Sequence, residues 1–306
     1  MAANPAQGIY RAQGEAAIPL QYESFLGNAS GLASNGTGLF AIPTAGTYYG
    51  FRFRFLTAGG VEVTQAQAEA EVTDIRIRVN GDLVIDAKTS ELNMLQGFYG
   101  DSKGAAIVPG ITVIDLVRSN ALTLPGEKTQ YAWGTKGVDS IQCQFVCGTL
   151  TNVASIEIYA VQTDEDRPMG THLRILPTTA NFASTGDYTL SDLPRDPGTA
   201  YLAAHIGLGA GTLKNTTLTI DNVLIYNQIP PKVEQQRLEW HGRNPQTGYF
   251  HLDFALQNEI LGYLPMVRNN GRKVQDIRLK TNWTVAPGNH RVVTERIFGL
   301  PAIVAA

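Results

Sequence analysis

Residues 79–100 read VNGDLVIDAKTSELNMLQGFYG, and residues 220–242 read IDNVLIYNQIPPKVEQQRLEWHG. The two stretches share an order of features in mostly different letters. In the first, Ile75, Ile77 and Val79 alternate with Arg76 and Arg78, a period of two that puts apolar side chains on one face of a sheet and charges on the other. Asn80-Gly81 follows, the pair best suited to the positive φ angles of a tight hairpin, and LVI resumes a strand. The period then changes. Between Thr89 and Tyr99, Leu92, Leu95 and Phe98 or Tyr99 recur at helical spacing, behind a Thr-Ser pair suited to an N-cap and ahead of Gly100. The second stretch gives a strand (Leu218, Ile220), a turn (Asp221-Asn222), a strand (Val223 to Tyr226), Pro230-Pro231 where a helix can start and Gly242 where it can stop.

The two turns stand 141 residues apart, Asn80 to Asp221. A second pair of segments agrees: from Gly137 and from Val274 the chain reads strand, polar turn, strand, with Asp139 and Asp276 in matching places 137 residues apart. Features kept in order, at offsets that loops absorb, predict tandem duplication of one fold unit.

Composition limits that unit. A chain of 306 residues holds about two domains of ordinary size. Charged residues make up 17%, against roughly 25% in a typical soluble domain, so much of the surface is expected to be covered. Gly 31 and Pro 15, with many short alternating segments, predict an all-β sandwich or barrel. A net charge of −3 provides no global field for nucleic acid, and no specific nucleic-acid binding is expected. The N-terminal MAANPAQGIYRAQGE lacks the apolar core of a secretory signal, and no apolar run reaches about 18 residues. The expectation is a soluble protein made in the cytoplasm, its N-x-S/T sequons at Asn28, Asn35, Asn215 and Asn282 being chance matches.

The organisation reads as a Gly-, Ala- and Ser-rich arm over 1–40, a first domain over 41–162, a connector over 163–190, a second domain over 191–298 and a tail over 299–306. In GTYYGFRFRF, Phe51, Phe53 and Phe55 are expected to face in and Arg52 and Arg54 to face out. Together with Arg76 and Arg78 these arginines are the candidate interface stripe, suited to phosphate groups or acidic patches on a neighbour.

Catalytic signatures fail. His172, His205, His241, His251 and His290 form no HExxH or HxH set. GLGAG at residues 207–211 precedes strand-like TLTID at 217–221 rather than a helix, so it reads as a turn. Cys143 and Cys147 fall on one strand face roughly 13 Å apart, too far for a disulfide, and read as buried core thiols. The acidic run Asp164, Glu165, Asp166 is the candidate oxygen-ligand set for calcium.

Three runs carry a family likeness: SDLPRDPGTAYLAAHIGL at 191–208, QDIRLKTN from Gln275 and WGTKGVDSIQCQF at 133–145. Together with the hairpin followed by a helix in both halves, the chain resembles the major capsid protein of the corticoviruses, tailless phages with an internal membrane. The likeness extends from about residue 45 to 296 and departs from the family in the longer N-terminal arm and the C-terminal GLPAIVAA. It implies an all-β chain of two tandem eight-stranded jelly rolls, each with a short helix. It also implies a non-enzymatic virion protein that forms pseudo-hexameric homotrimers in an icosahedral shell, against neighbouring capsomers, other capsid proteins and the internal membrane. No cofactor is required; structural calcium is implied by the family, with no ligand set matched residue by residue. Two other readings stay open, a minor capsid or spike-base protein and a tandem carbohydrate-binding module using Trp133, Trp240 or Trp283.

Overall fold

At Asn80 and Gly81 the backbone takes φ angles of 49° and 86°, and at Asp221 and Asn222 angles of 46° and 65°. Both turns therefore have two successive positive-φ residues, whose twist matches that of the strands they join. The computed structural model describes residues 20–100, 108–117, 131–191, 193–256, 263–268 and 271–300.

Around the first turn the strands are β1 (Tyr22–Asn28), β2 (Thr37–Ile42), β3 (Thr47–Leu56), β4 (Val72–Val79), β5 (Asp82–Lys88), β6 (Ile111–Asp115), the two-residue β7 (Trp133–Gly134), β8 (Ile141–Cys147) and β9 (Ser155–Thr163). They form facing sheets in the orders β1-β9-β3-β6 and β2-β8-β4-β5, with β7 on β3. Around the second turn lie β10 (His172–Phe182), β11 (Gly186–Leu190), β12 (Ala200–Gly207), β13 (Thr212–Ile220), β14 (Val223–Ile229), β15 (Tyr249–Asp253), the short β16 (Leu264–Pro265), β17 (Ile277–Val285) and β18 (Gly288–Phe298). Their orders are β10-β18-β12-β15 and β11-β17-β13-β14, with β16 on β12. Strand for strand, the second unit repeats the first: the chain is a double jelly roll. Three helices complete the described residues, α1 (Gln65–Glu71), α2 (Thr89–Gly100) and α3 (Pro231–Trp240).

The repeat reaches single hydrogen bonds. Asn80 Oδ1 accepts from the amides of Asp139 and Ser140 at 2.8 and 3.0 Å, and Asp221 Oδ1 accepts from those of Gln275 and Asp276 at 2.7 and 2.9 Å. Each turn residue thus holds the chain entering the next strand. The hydroxyl of Tyr48 donates to the Pro43 carbonyl and that of Tyr201 to the Pro194 carbonyl, both at 2.7 Å. Just after each of these tyrosines the ladder to the neighbouring strand shifts register, between Tyr48 and Gly50 and between Tyr201 and Ala203.

Alternation in β3 buries Phe51, Phe53 and Phe55 between the sheets of the first unit. Phe53 meets Phe145 edge-on at 5.4 Å, and Phe51 meets Trp133 at 5.9 Å. Such pairs add about 1 kcal/mol each beyond their buried area. Trp283, Leu218, Ile220 and Phe250 centre the second core.

Four sequence expectations change. The arm over 1–40 contains β1 and most of β2, and the connector over 163–190 contains β10 and β11, so the link between the units shrinks to residues 164–171. β1 is half-exposed along its length and β10 carries Pro177, so neither shows clean alternation. Among the described residues the first unit carries two helices, α1 being too short to register a helical period; its start is a capping box between Thr64 and Gln67. Thr89 is the first residue of α2, and its hydroxyl bonds the Val72 carbonyl. Finally, the amides of Asn80 and Asp221 donate to the carbonyls of Ser140 and Asp276, at 2.9 Å in both cases. Asp276 therefore matches Ser140 rather than Asp139, since the loop before β17 is one residue shorter than position counting implies.

Candidate functional site

Where the two units meet, the edge strand β5 runs parallel to the edge strand β10, bridged at Ile85 and Ile175. One sheet thereby continues from the first unit into the second. Leu173, Ile175, Leu202, Val293 and Ile297 of the second unit belong to the same buried cluster as Ile75, Ile85 and Leu95 of the first.

Over this seam α2 presses on the outer face of β12, β15 and β18. Phe98, fully buried, stacks on the His251 ring at 4.4 Å and meets the His205 ring edge-on at 5.2 Å. Glu91 pairs with Arg291 at 2.9 Å, and the Tyr99 hydroxyl donates to Glu295 at 2.5 Å. The histidines continue the chain of contacts: His205 Nε2 lies 3.0 Å from Glu295, His205 Nδ1 lies 2.7 Å from His251 Nδ1, and the Gln246 amide donates to His251 Nε2 at 3.0 Å. Burial, then the neighbouring His205, holds His251 well below the usual imidazole range. Sequence motifs missed this cluster because its members come together only through the β12–β15 register, which sets His205 directly opposite His251. His172 is a buried residue on the Gly170 carbonyl, His241 caps the end of α3, and the His290 side chain lies outside the described residues.

The four arginines separate into two pairs on opposite outer faces, correcting the single stripe. Arg52 and Arg54 lie on β3, whose sheet faces that of β4 with Arg76 and Arg78 across the shared core. Arg54 pairs with Glu157, its direct cross-strand partner, at 3.0 Å and with Glu62 at 2.5 Å. Arg76 pairs with its cross-strand partner Asp86 at 3.1 Å, and Arg78 donates to the Gly81 carbonyl at 3.0 Å. Arg52 reaches Glu23 at 3.4 Å, while its Nη1 is buried with no hydrogen-bond partner among the described residues.

Asp164, Glu165 and Asp166 are exposed on the link between the units, and Asp164 accepts from the Tyr22 hydroxyl. Among the described residues no three His, Cys, Asp or Glu side chains converge to hold a metal. These three carboxylates therefore form no converging ligand set by themselves. Cys143 and Cys147 are free and buried on β8. GLGAG is the turn between β12 and β13. Trp133 and Trp283 are fully buried, so they present no ring to a sugar.

The counterparts of the seam at the far ends of the molecule are open. β14, which repeats β5, is a sheet edge with Val223, Leu224 and Ile225 exposed, and α3, which repeats α2, exposes Val233 and Trp240. A groove of about 580 Å³ runs between them. At the other end β1, which repeats β10, is an edge with Phe25 exposed, beside a groove of about 530 Å³ lined by Glu23, Phe25, Arg52, Arg54, Ile111 and Tyr159.

Residues 25–163 match the family model described as viral coat protein P2 N-terminal domain, and residues 172–300 that described as viral coat protein P2 C-terminal domain. No curated protein sequence matches the chain. Among solved structures, the major capsid protein P2 from Bacteriophage PM2 superposes with a TM-score of 0.77 at 18% identity, over 90% of this chain and 97% of that one. The STIV MCP gives a TM-score of 0.66 at 12% identity, over 92% and 98%. The Faustovirus major capsid protein gives 0.55 at 7%, over 94% and 91%.

Proposed function

This chain belongs to the viral coat protein P2 family and is a structural protein of the virion capsid, and from that premise we propose that three copies close into a ring of six jelly rolls. The ring is a pseudo-hexagonal tile of an icosahedral shell resting on an internal lipid membrane. The observation that carries the reading is the repeat itself: two strand-for-strand copies use one junction face inside the chain and leave its counterpart open at each end. A contact of one such face against a different face is heterologous, and heterologous contacts that close make rings. Six units from chains of two require three chains. The role is structural and non-enzymatic.

No helix among the described residues is long and apolar enough to cross a membrane, and in the proposed arrangement the tile rests on the lipid surface. Native mass spectrometry of the purified protein is the test, with three chains per particle the expected mass. A persistent monomer at micromolar concentration sinks the ring. Flotation with anionic and neutral vesicles tests the membrane arm, and tiles that stay with neither lipid reject it.

A further inference from the structure

The junction inside the chain specifies, residue by residue, what the open faces are built to hold. The first residues of α2 and α3, Thr89 and Pro231, are 142 apart, and the same offset takes Gly100, the last residue of α2, to Gly242, two residues past the end of α3. On that offset the counterpart of Phe98 is Trp240. Phe98 is 0% exposed, clasped by the second unit; Trp240 is 85% exposed. A large aromatic at a position whose copy is sealed is a ring without its socket.

The socket follows from the same repeat. The ladders align β3 with β12 through the matched shift after Tyr48 and Tyr201, which places Arg52 at the position of His205. On the neighbouring strand, Val113 stands where His251 stands, each directly opposite its partner. The surface corresponding to the histidine clasp is thus the groove beside β1 that contains Arg52, Phe25, Ile111 and Tyr159. Its volume of about 530 Å³ accommodates an indole. Chemistry agrees with shape. The buried, unpartnered Nη1 marks Arg52 as a guanidinium whose donors are incompletely used, and a tryptophan face is the best aromatic partner for such a cation.

We propose that Trp240 of one chain docks against Arg52 of a second copy, in the groove beside β1, while the β14 edge of the first copy runs alongside β1 of the second. The outer junction then repeats the inner one with its occupants exchanged, tryptophan on arginine in place of phenylalanine on histidine. The internal bridge of Ile85 to Ile175 has its counterpart in Tyr226 and Glu23, read from the same ladders. Trp and Arg are the residue types most enriched at the energetic centres of interfaces.

The inference rests on the ring proposed above and is tested separately from it. Because Trp133 and Trp283 are sealed in their cores, iodide quenching of tryptophan fluorescence reads Trp240 almost alone. In the assembled protein Trp240 is expected to be shielded, and on dilution to single chains it is expected to become quenchable. Trp240→Ala and Arg52→Ala are each expected to raise the trimer dissociation constant about tenfold or more, with Trp240→Phe retaining most of the association. Circular dichroism checks that the variants fold. A trimer whose Trp240 stays open to iodide, or a Trp240→Ala trimer as tight as the parent, overturns the docking and leaves the ring standing. A protein that is monomeric under every condition overturns both.

Discussion

His205 and His251 face each other Nδ1 to Nδ1 at 2.7 Å, sealed from water between the two jelly rolls. Only one proton fits between those atoms, and the surroundings decide which ring carries it. The Gln246 backbone amide can only donate, so His251 Nε2 is an acceptor and its proton is on Nδ1. His251 therefore donates to His205 Nδ1, and His205 donates through Nε2 to Glu295, which also accepts from Tyr99. Every donor in the chain has an acceptor while both rings are neutral.

Acid breaks this arrangement. An extra proton on His251 confronts the Gln246 amide, and one on His205 confronts the His251 Nδ1–H. Glu295 and Arg291 of β18, Glu91 and Tyr99 of α2, and Arg243, stacked over Tyr99 and paired with Asp253, surround the pair. The unfolded chain titrates its histidines near 6.5, whereas folded His251 lies well below. Between those values the unfolded state binds more protons, so stability is full above about 6.5 and falls by up to about 1.4 kcal/mol per pH unit beneath it. Denaturant midpoints at pH 5.0 and 7.5 should differ in that sense, and His251→Gln should reduce the difference. An unchanged slope in that variant removes the pair as its source.

Glu71, the last residue of α1, closes on the turn at 151–153. Its buried carboxylate accepts from the amides of Thr151, Asn152 and Val153 at 2.9, 2.8 and 2.8 Å and from the Asn152 side chain at 2.6 Å. Burial alone would raise its pKa, but these bonds outweigh burial and lower it. The stabilisation is present above the usual glutamate value and is lost as pH falls through the lowered one. Glu71→Ala strands three amides and should cost about 3 kcal/mol at neutral pH, read from urea unfolding. Equal stability of variant and parent would show that water replaces the carboxylate at no cost.

Leu238 of α3 is sealed against Phe98 of α2 and Leu256, so the second helix braces the first across the seam rather than covering its own unit alone. Leu238→Asp and Leu95→Asp each place a charge in an apolar site and should cost about 3–5 kcal/mol. Loss of soluble protein, or a matching drop in the unfolding midpoint, is the expected reading; parental stability would contradict the packing of either helix.

Burial raises the pKa of both thiols and does so most for Cys143. An aromatic disulfide reagent should therefore leave the native protein unlabelled and titrate two thiols per chain in denaturant. Fast labelling of native protein would mean that β8 opens readily.

What the sequence made legible was what a local rule governs. Asn80-Gly81 and Asp221-Asn222 announce their turns through residues that tolerate positive φ, and Phe51, Phe53 and Phe55 announce β3 through a period of two. β10 escaped because Leu173 and Ile175 are buried by both units while Pro177 interrupts the run. The paired histidines escaped for a different reason: 46 residues separate them, and only the ladder brings them together. Arg52, Arg54, Arg76 and Arg78 looked like one stripe because alternation identifies a face but not the sheet that owns it.

The link between the units is only residues 164–171, and its brevity separates two kinds of contact by kinetics. A short tether holds the inner faces at an effective concentration of order millimolar or above, so the inner seam forms whenever the chain folds, however dilute the chain. The seam can therefore tolerate a costly polar cluster such as the histidine pair. In the proposed ring the outer faces have no tether and meet only by diffusion, so their occupancy would track the concentration of the protein. A chain welded inside and concentration-dependent outside matures early as a unit and late as a shell.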